Sequence, residues 1–369
     1  MLSPFLSVAL SGAAATCVGI GLARFAYVPL FPALVQAGWV SGAEAGLLGA
    51  ATLAGYLPGV AIASRLAAKY GTRPVLRAAM AGVLLSLLLC AVPGGLAWLL
   101  PWRLLAGVAG GLLMSLVGPA VQRAVPPKRR GAASGVVISG VGGGVVLGSL
   151  ALPPLLQGGP SLGWLGLAAL VAGLWAFAHR RFPGDAGTPA SGAPPPAFRL
   201  LLAYALSGAG MVAPMVYLSD LAARGFGFGL LAGSGVWLLF GLGALAGTLL
   251  GGRAADRLGG AAAVRLWLVA QVAALGLALW HQGAALALSA VLSGFSGVGL
   301  SAVTLAWARE EAGAQAGALW VRATICYGLA QAVAAFVLAA LFAATEESHA
   351  AVFLAGALAS LAGLVVARR

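Results

Sequence analysis

The stretch Gly55-Tyr56-Leu57-Pro58-Gly59, running on to Arg65-Leu66-Ala67-Ala68-Lys69-Tyr70-Gly71, has a counterpart later in the chain: Gly243-Ala244-Leu245-Ala246-Gly247, running on to Arg253-Ala254-Ala255-Asp256-Arg257-Leu258-Gly259. Each copy is an apolar segment with glycines four apart that ends in a short basic turn closed by Gly. The displacement between the copies is close to half of the 369 residues. A membrane protein built as two similar halves is expected to be a transporter, because two halves can rock about a site held between them.

Composition supports a membrane setting. The chain is 61% hydrophobic and 8% charged, with a mean hydropathy of +1.02. A water-soluble fold of this length needs far more polar surface, so the bilayer is the solvent for most of it. A spanning helix needs ~20 apolar residues, so twelve spans take roughly 240 and leave room for loops, termini and one linker. The 56 glycines suit helices that approach closely in a membrane.

The net charge of +13 does not indicate a nucleic-acid partner, because its distribution is topological. Of the 21 Lys and Arg, all but Arg24, Arg103, Arg224 and Arg322 fall on one set of alternate loops and the termini. The opposite loops hold Arg224, with Glu44, Asp220, Glu346 and Glu347 at or near that side. Under the positive-inside rule both termini are expected in the cytoplasm. Cys17, Cys90 and Cys326 lie in apolar runs and form no disulfide framework. The first apolar run lacks a charged start and a cleavage site, and reads as the first span rather than a removed signal.

Apolar runs place spans near 6–34, 43–66, 75–92, 97–122, 131–156, 163–180, 199–222, 230–252, 264–281, 284–307, 316–343 and 350–367. The segment 183–198, rich in Pro, Gly and small residues, is expected to be a cytoplasmic linker between a six-helix bundle at 1–182 and another at 199–369. Trp39, Trp98, Trp102, Trp164, Trp280, Trp307 and Trp320 fall near span ends, where interfacial anchoring accounts for most of them.

The repeat continues. Span 4 carries Arg103, Gly107 and Gly110, against Ala290, Gly294 and Gly297 in span 10. Span 5 opens Gly131-Ala132-Ala133-Ser134-Gly135, and span 11 is approached through Gly313-Ala314-Gln315-Ala316-Gly317. At these residues the chain resembles the major facilitator superfamily, whose Gly-x-Leu-Ala-Asp-Arg-x-Gly-type motif follows the second helix and recurs after the eighth. Here the fuller copy is the second, with Gly252, Asp256, Arg257 and Gly259; the first has Ala68 in place of the acid. Arg103, Gly107, Gly110 and Gly111 resemble the superfamily's arginine–glycine motif, and Gly135, Gly140, Gly142, Gly144 and Gly148 its glycine-rich motif. The run Arg24-Phe25-Ala26-Tyr27-Val28-Pro29-Leu30-Phe31-Pro32 and the run Trp237-Leu238-Leu239-Phe240-Gly241-Leu242 resemble the bacterial YbfB/YjiJ-like branch. The resemblance implies an all-α membrane protein of twelve helices in two pseudo-symmetric six-helix bundles that work by alternating access. It also implies a conformational role for Asp256 and Arg257, and links the arginine matching Arg103 to proton coupling or a buried network.

Charges at membrane depth point to function, since each costs ~2.5–3.5 kcal/mol even on the lenient insertion scale. Arg24, Arg103 and Arg322 fall within spans. Arg24 reads as an anion-binding arginine, its planar fork suited to carboxylate or phosphate; the alternative ties it to backbone carbonyls where Pro29 and Pro32 disturb the helix. Tyr27, three residues on, shares its face in a regular helix. Arg103 and Arg322 either face inward or snorkel to a surface, Arg103 beside Trp98 and Trp102. Tyr56, Tyr217 and Tyr327 are further candidates to line the substrate path. No acid or histidine stands mid-span, so Glu44 and Asp220, at span ends, are the candidate proton carriers, and interfacial acids otherwise.

The chain shows no phosphate loop, zinc spacing, catalytic triad or dinucleotide fingerprint. The expectation is therefore a non-enzymatic, monomeric secondary transporter of the bacterial inner membrane without cofactor or metal. It would move a small organic anion, with coupling to protons or exchange open. Proton-driven efflux of amphipathic drugs or lipids is the second reading, and a non-transporting membrane receptor the third.

Overall fold

The computed structural model describes residues 4–126, 129–184 and 196–368. Lys128, Arg369 and positions 185–195 of the expected linker lie outside the described residues. Among those described, twelve helices are long and apolar enough to cross a membrane. They are α1 (Phe5–Gln36), α2 (Gly42–Tyr70), α3 (Thr72–Cys90), α4 (Gly95–Ala124), α5 (Ala133–Leu156), α6 (Pro160–Ala178), α7 (Phe198–Gly225), α8 (Gly229–Leu258), α9 (Gly260–Leu277), α10 (Gly283–Ala312), α11 (Ala316–Ala344) and α12 (His349–Arg368).

Several helices outrun the apolar stretches from which they are legible. The segment expected at 43–66 continues to Tyr70, and that at 284–307 continues to Ala312. Hydropathy stops at Arg65 or Arg309, but backbone hydrogen bonding does not, so these charges ride on helical turns. Two of the following connections are single glycines. Gly71 (φ +84°) joins α2 to α3, and Gly259 (φ +82°) joins α8 to α9. A residue with a side chain is strained in that backbone region, which explains the closing Gly of each copy of the basic turn.

The chain forms two compact units, Met1–Thr188 and Pro189–Arg369. In the first, α2 packs on α4, α1 on α5, and α3 on both α4 and α6. In the second, α8 packs on α10, α7 on α11 and α12, and α9 on α10 and α12.

The doubled glycines mark one helix crossing made twice. A Cβ at Gly55 would run into the Leu104 carbonyl, one at Gly59 into the Val108 carbonyl, and one at Gly107 into the Thr52 carbonyl. In the second unit, Gly243 meets the Val291 carbonyl, Gly247 the Phe295 carbonyl, and Gly294 the Phe240 carbonyl in the same way. Every member of one set has its counterpart in the other at nearly the same displacement along the chain. In lipid such close approach gains dispersion contacts that a larger residue forfeits.

A crossing this tight predicts position-specific intolerance. Gly55→Leu and Gly243→Leu should each lower the thermal unfolding midpoint sharply, since overpacking costs about 1–3 kcal/mol or more. Gly173→Leu, where a Cβ meets nothing within 4 Å, should leave it nearly unchanged. Equal tolerance at the three positions would show that the crossing does not constrain the fold.

Candidate functional site

In the first unit the site residues gather around an irregular α1. The helix is α-helical over Pro4–Thr16, π-helical over Cys17–Phe25 and α-helical again over Tyr27–Gln36. Its wide turn is closed by Ala26 N–H donating to the Gly21 carbonyl at 2.9 Å, five residues back. Pro29 has no N–H to offer the preceding turn, and π segments are common where function needs a displaced side chain. Glycines seat the segment. A Cβ at Gly110 of α4 would strike the Gly19 carbonyl, and one at Gly144 of α5 the Gly21 Cα.

Arg24 lies on this π segment and is half-buried. Its guanidinium stands 5.1 Å from the centre of the Phe25 ring. It is near enough to the half-buried Tyr56 of α2 to act electrostatically on that hydroxyl.

Arg103 does not snorkel beside Trp98 and Trp102, and is only 1% exposed. It turns toward α1, where Nη1 donates to the Ala23 carbonyl at 2.9 Å. Its guanidinium sits over the Tyr27 ring at 4.4 Å and the Trp164 ring at 5.5 Å. Nε and Nη2 have no hydrogen-bond partner among the described residues. The negative ring faces supply the attraction that a carboxylate would otherwise give. Tyr27 is thus buried in this cage, and its hydroxyl donates to the Ala45 carbonyl at 2.6 Å. Trp164 is a wall of the cage and not the interfacial anchor that its place near a span end suggests.

Glu44 forms a capping box at the start of α2. Ser41 N–H donates to its carboxylate at 2.8 Å, and Glu44 N–H donates to Ser41 Oγ at 3.2 Å. This satisfies amide groups that a helix start leaves open.

In the second unit Asp220 is fully buried, at the start of a π turn, Leu221–Gly225, that ends α7. Arg224 grips it with a fork, Nε to Oδ1 at 2.6 Å and Nη2 to Oδ2 at 2.7 Å. Arg224 Nη1 also donates to Glu347 at 2.8 Å, and His349 Nε2 lies 2.7 Å from Asp220 Oδ2. The cluster joins α7 to the α11–α12 connection, where Glu346 (φ +51°) and Glu347 (φ +63°) both adopt the left-handed conformation. Two such residues in succession store strain, a feature of functional sites. The partners of Asp220 escape a reading confined to membrane depth. The i, i+4 spacing of Asp220 and Arg224 was the available signal for one of them.

Tyr217, one turn before Asp220, is buried with its ring 4.9 Å from that of Phe342. Arg322 is exposed on α11. Tyr327 on the same helix is half-buried, stacked on Tyr204 at 4.4 Å, and accepts from Gln331 Nε2 at 3.2 Å.

Gly252, Asp256 and Arg257 are exposed at the basic end of α8, and Gly259 forms the left-handed turn. The N-terminus of the following helix is held by another acid: Gly260 N–H donates to Glu310 Oε1 at 2.6 Å. The sequence reading did not single out Glu310, because this contact joins the start of α9 to the far end of α10.

The cage makes an asymmetric prediction. Trp164→Ala should cost about 3–5 kcal/mol of stability, as expected for a buried Trp. Arg103→Met should cost clearly less, because it removes a buried cation together with its desolvation penalty. Unfolding midpoints of the two purified variants decide it; a larger loss for Arg103→Met would mean the cation itself holds the bundle.

The whole chain bears comparison with known transporters. The family profile described as "Uncharacterised MFS-type transporter YbfB" matches residues 16–367. No curated protein sequence matches closely enough to count as a relative. Among solved structures, the chain is similar to a D323A mutant of the nucleoside transporter NupG, at 13% identity over 99% of each chain, TM-score 0.77. It is similar to the xylose transporter XylE from E. coli, at 14% identity over 99% of this chain and 97% of that one, TM-score 0.76. It is also similar to the human organic anion transporter MFSD10, at 20% identity over 99% of this chain and 100% of that one, TM-score 0.65. These identities carry the fold, and the family match carries membership. The chain belongs to the YbfB-like family of major facilitator superfamily transporters, an all-helical membrane protein and not an enzyme.

Proposed function

We propose that this transporter moves a small organic anion across the bacterial inner membrane by alternating access, and that Arg24 recognises the charge. The observation that supports this reading most is the place of Arg24. It is a half-buried guanidinium on a π segment seated by glycines, with Tyr56 nearby. Arg103 is caged by rings, and Arg322 is exposed on α11. A guanidinium at membrane depth favours an oxyanion, which its fork can bind at two points. A structure named as a human organic anion transporter is among those of similar fold, which supports this reading. NupG and XylE are named for uncharged solutes, so the choice here rests on Arg24. The basic turns after α2 and α8 would face the cytoplasm, with the Asp220 cluster on the outer side, and the protein would act as a monomer.

Proton-driven efflux of amphipathic drugs or lipids is the second reading, with Arg24 then holding α1 in shape.

The two readings separate in a thermal-shift screen of the purified protein against carboxylates, phosphorylated metabolites and amphipathic cations. Stabilisation by a subset of anions is expected, abolished in Arg24→Ala and weakened about tenfold or more in apparent affinity in Arg24→Lys, which keeps the charge and loses the fork. The same anions should exchange in proteoliposomes carrying the unaltered chain. Stabilisation that survives Arg24→Ala removes Arg24 from the site, and a response to amphipathic cations alone favours efflux.

A further inference from the structure

We propose that the first unit binds an anionic phospholipid, with an acyl chain in a groove between α2, α3 and α4 and the phosphate among the basic residues around Gly71. The site does not depend on which solute is carried.

The groove has a volume of about 380 Å³, and its lining is apolar but for the Tyr70 hydroxyl. Val75, Ala79 and Ala109 are its buried floor, and Gly82 is half-buried in its wall. Along α3 it runs from Pro74 to Gly82, about 12 Å by helical rise and long enough for a run of acyl methylenes. Ile62, Leu85 and Leu104, on the same three helices, are exposed apolar side chains. The medium over this face is therefore lipid. An unfilled groove there forfeits dispersion contacts, which a hydrocarbon chain restores.

The second unit shows that the scaffold does not dictate the opening. The turn glycines Gly71 and Gly259 align Ala79 with Trp267. The crossing glycines align Val108 with Phe295, since Gly59 lies against the Val108 carbonyl and Gly247 against the Phe295 carbonyl. Trp267 is buried and stacks on Phe295 with ring centres 4.7 Å apart. Leu112, which aligns with Gly299, returns part of the volume to the first unit. Two rings thus fill in one unit the place that Ala79 and Val108 leave open in the other.

Charge selects the lipid. Tyr70 lines the basic end of the groove, and Lys69 Nζ stands 5.0 Å from the centre of its ring. Arg65, Lys69 and Arg73 are exposed at this end. Arg73 Nε donates to the Phe182 carbonyl at 2.7 Å, which holds that guanidinium in place without cancelling its charge. Among the described residues every ion pair lies around Asp220, so no carboxylate pairs with these three cations. The acids of the first unit are Glu44, at the far end of α2, and Asp185, outside the described residues. The second copy differs, with Asp256 in place of Ala68 and Glu310 and Glu311 at the end of α10. A cationic cluster at a membrane surface attracts anionic headgroups. Lys69 can reach one while its methylenes stay against the apolar surface.

The test titrates the purified, delipidated full chain with phosphatidylglycerol or with phosphatidylcholine of the same acyl chains, and reads retained lipid by native mass spectrometry. The unaltered chain should hold phosphatidylglycerol about tenfold more tightly. Gly82→Leu occupies the groove from within. A Cβ at this position is in ordinary contact with Ala109 Cβ at 3.7 Å, so the lipid-free unfolding midpoint should hold while retention of both lipids falls. Arg65→Gln with Lys69→Gln changes only exposed side chains and should remove the preference, leaving weak, equal binding. Arg253→Gln with Arg265→Gln takes the same charge from the second copy and should change neither. The proposal is overturned if the unaltered chain does not distinguish the two lipids, if Gly82→Leu retains phosphatidylglycerol as the unaltered chain does, or if the two charge variants weaken it alike.

Discussion

Close backbone contact between helices is the constraint from which the rest of this molecule follows. In each unit one helix pair, α2 with α4 and α8 with α10, crosses where glycine α-carbons lie against carbonyl oxygens of the neighbour. The membrane gives no hydrophobic reward for bringing apolar helices together, so packing must supply the attraction, and packing improves as backbones approach. The same device seats the π segment of α1 between Gly110 and Gly144. A bundle fixed in this way can hold an irregular helix, and the irregular helix carries Arg24.

The two units handle buried charge differently. The first encloses Arg103 among aromatic rings, with no acid in the cage. The second encloses Asp220 with an arginine, a second carboxylate and a histidine. One half therefore encloses a cation among rings and the other a buried acid within a charge network, on scaffolds whose glycine crossings are nearly superimposable in sequence.

Much of this was legible before any coordinates. Span count, the single-glycine turns at Gly71 and Gly259, and the paired glycines all follow from local pattern. Arg103 was not. A guanidinium one turn inside a helix can snorkel or turn inward with equal sequence plausibility, and the choice depends on Tyr27 and Trp164, which lie on other helices. The Asp220 cluster and the Glu310 cap escaped for the same reason: their partners are remote in the chain, and Glu347, His349 and Glu310 read individually as polar residues at helix ends.

By itself the sequence determined the membrane as solvent, the number of helices, the doubling of the scaffold and the family, because hydropathy, glycine spacing and turn chemistry act over a few neighbouring residues. Only the tertiary structure decided which charges are enclosed and by what. The free energy of a buried charge depends on groups that folding brings within a few ångströms from distant parts of the chain.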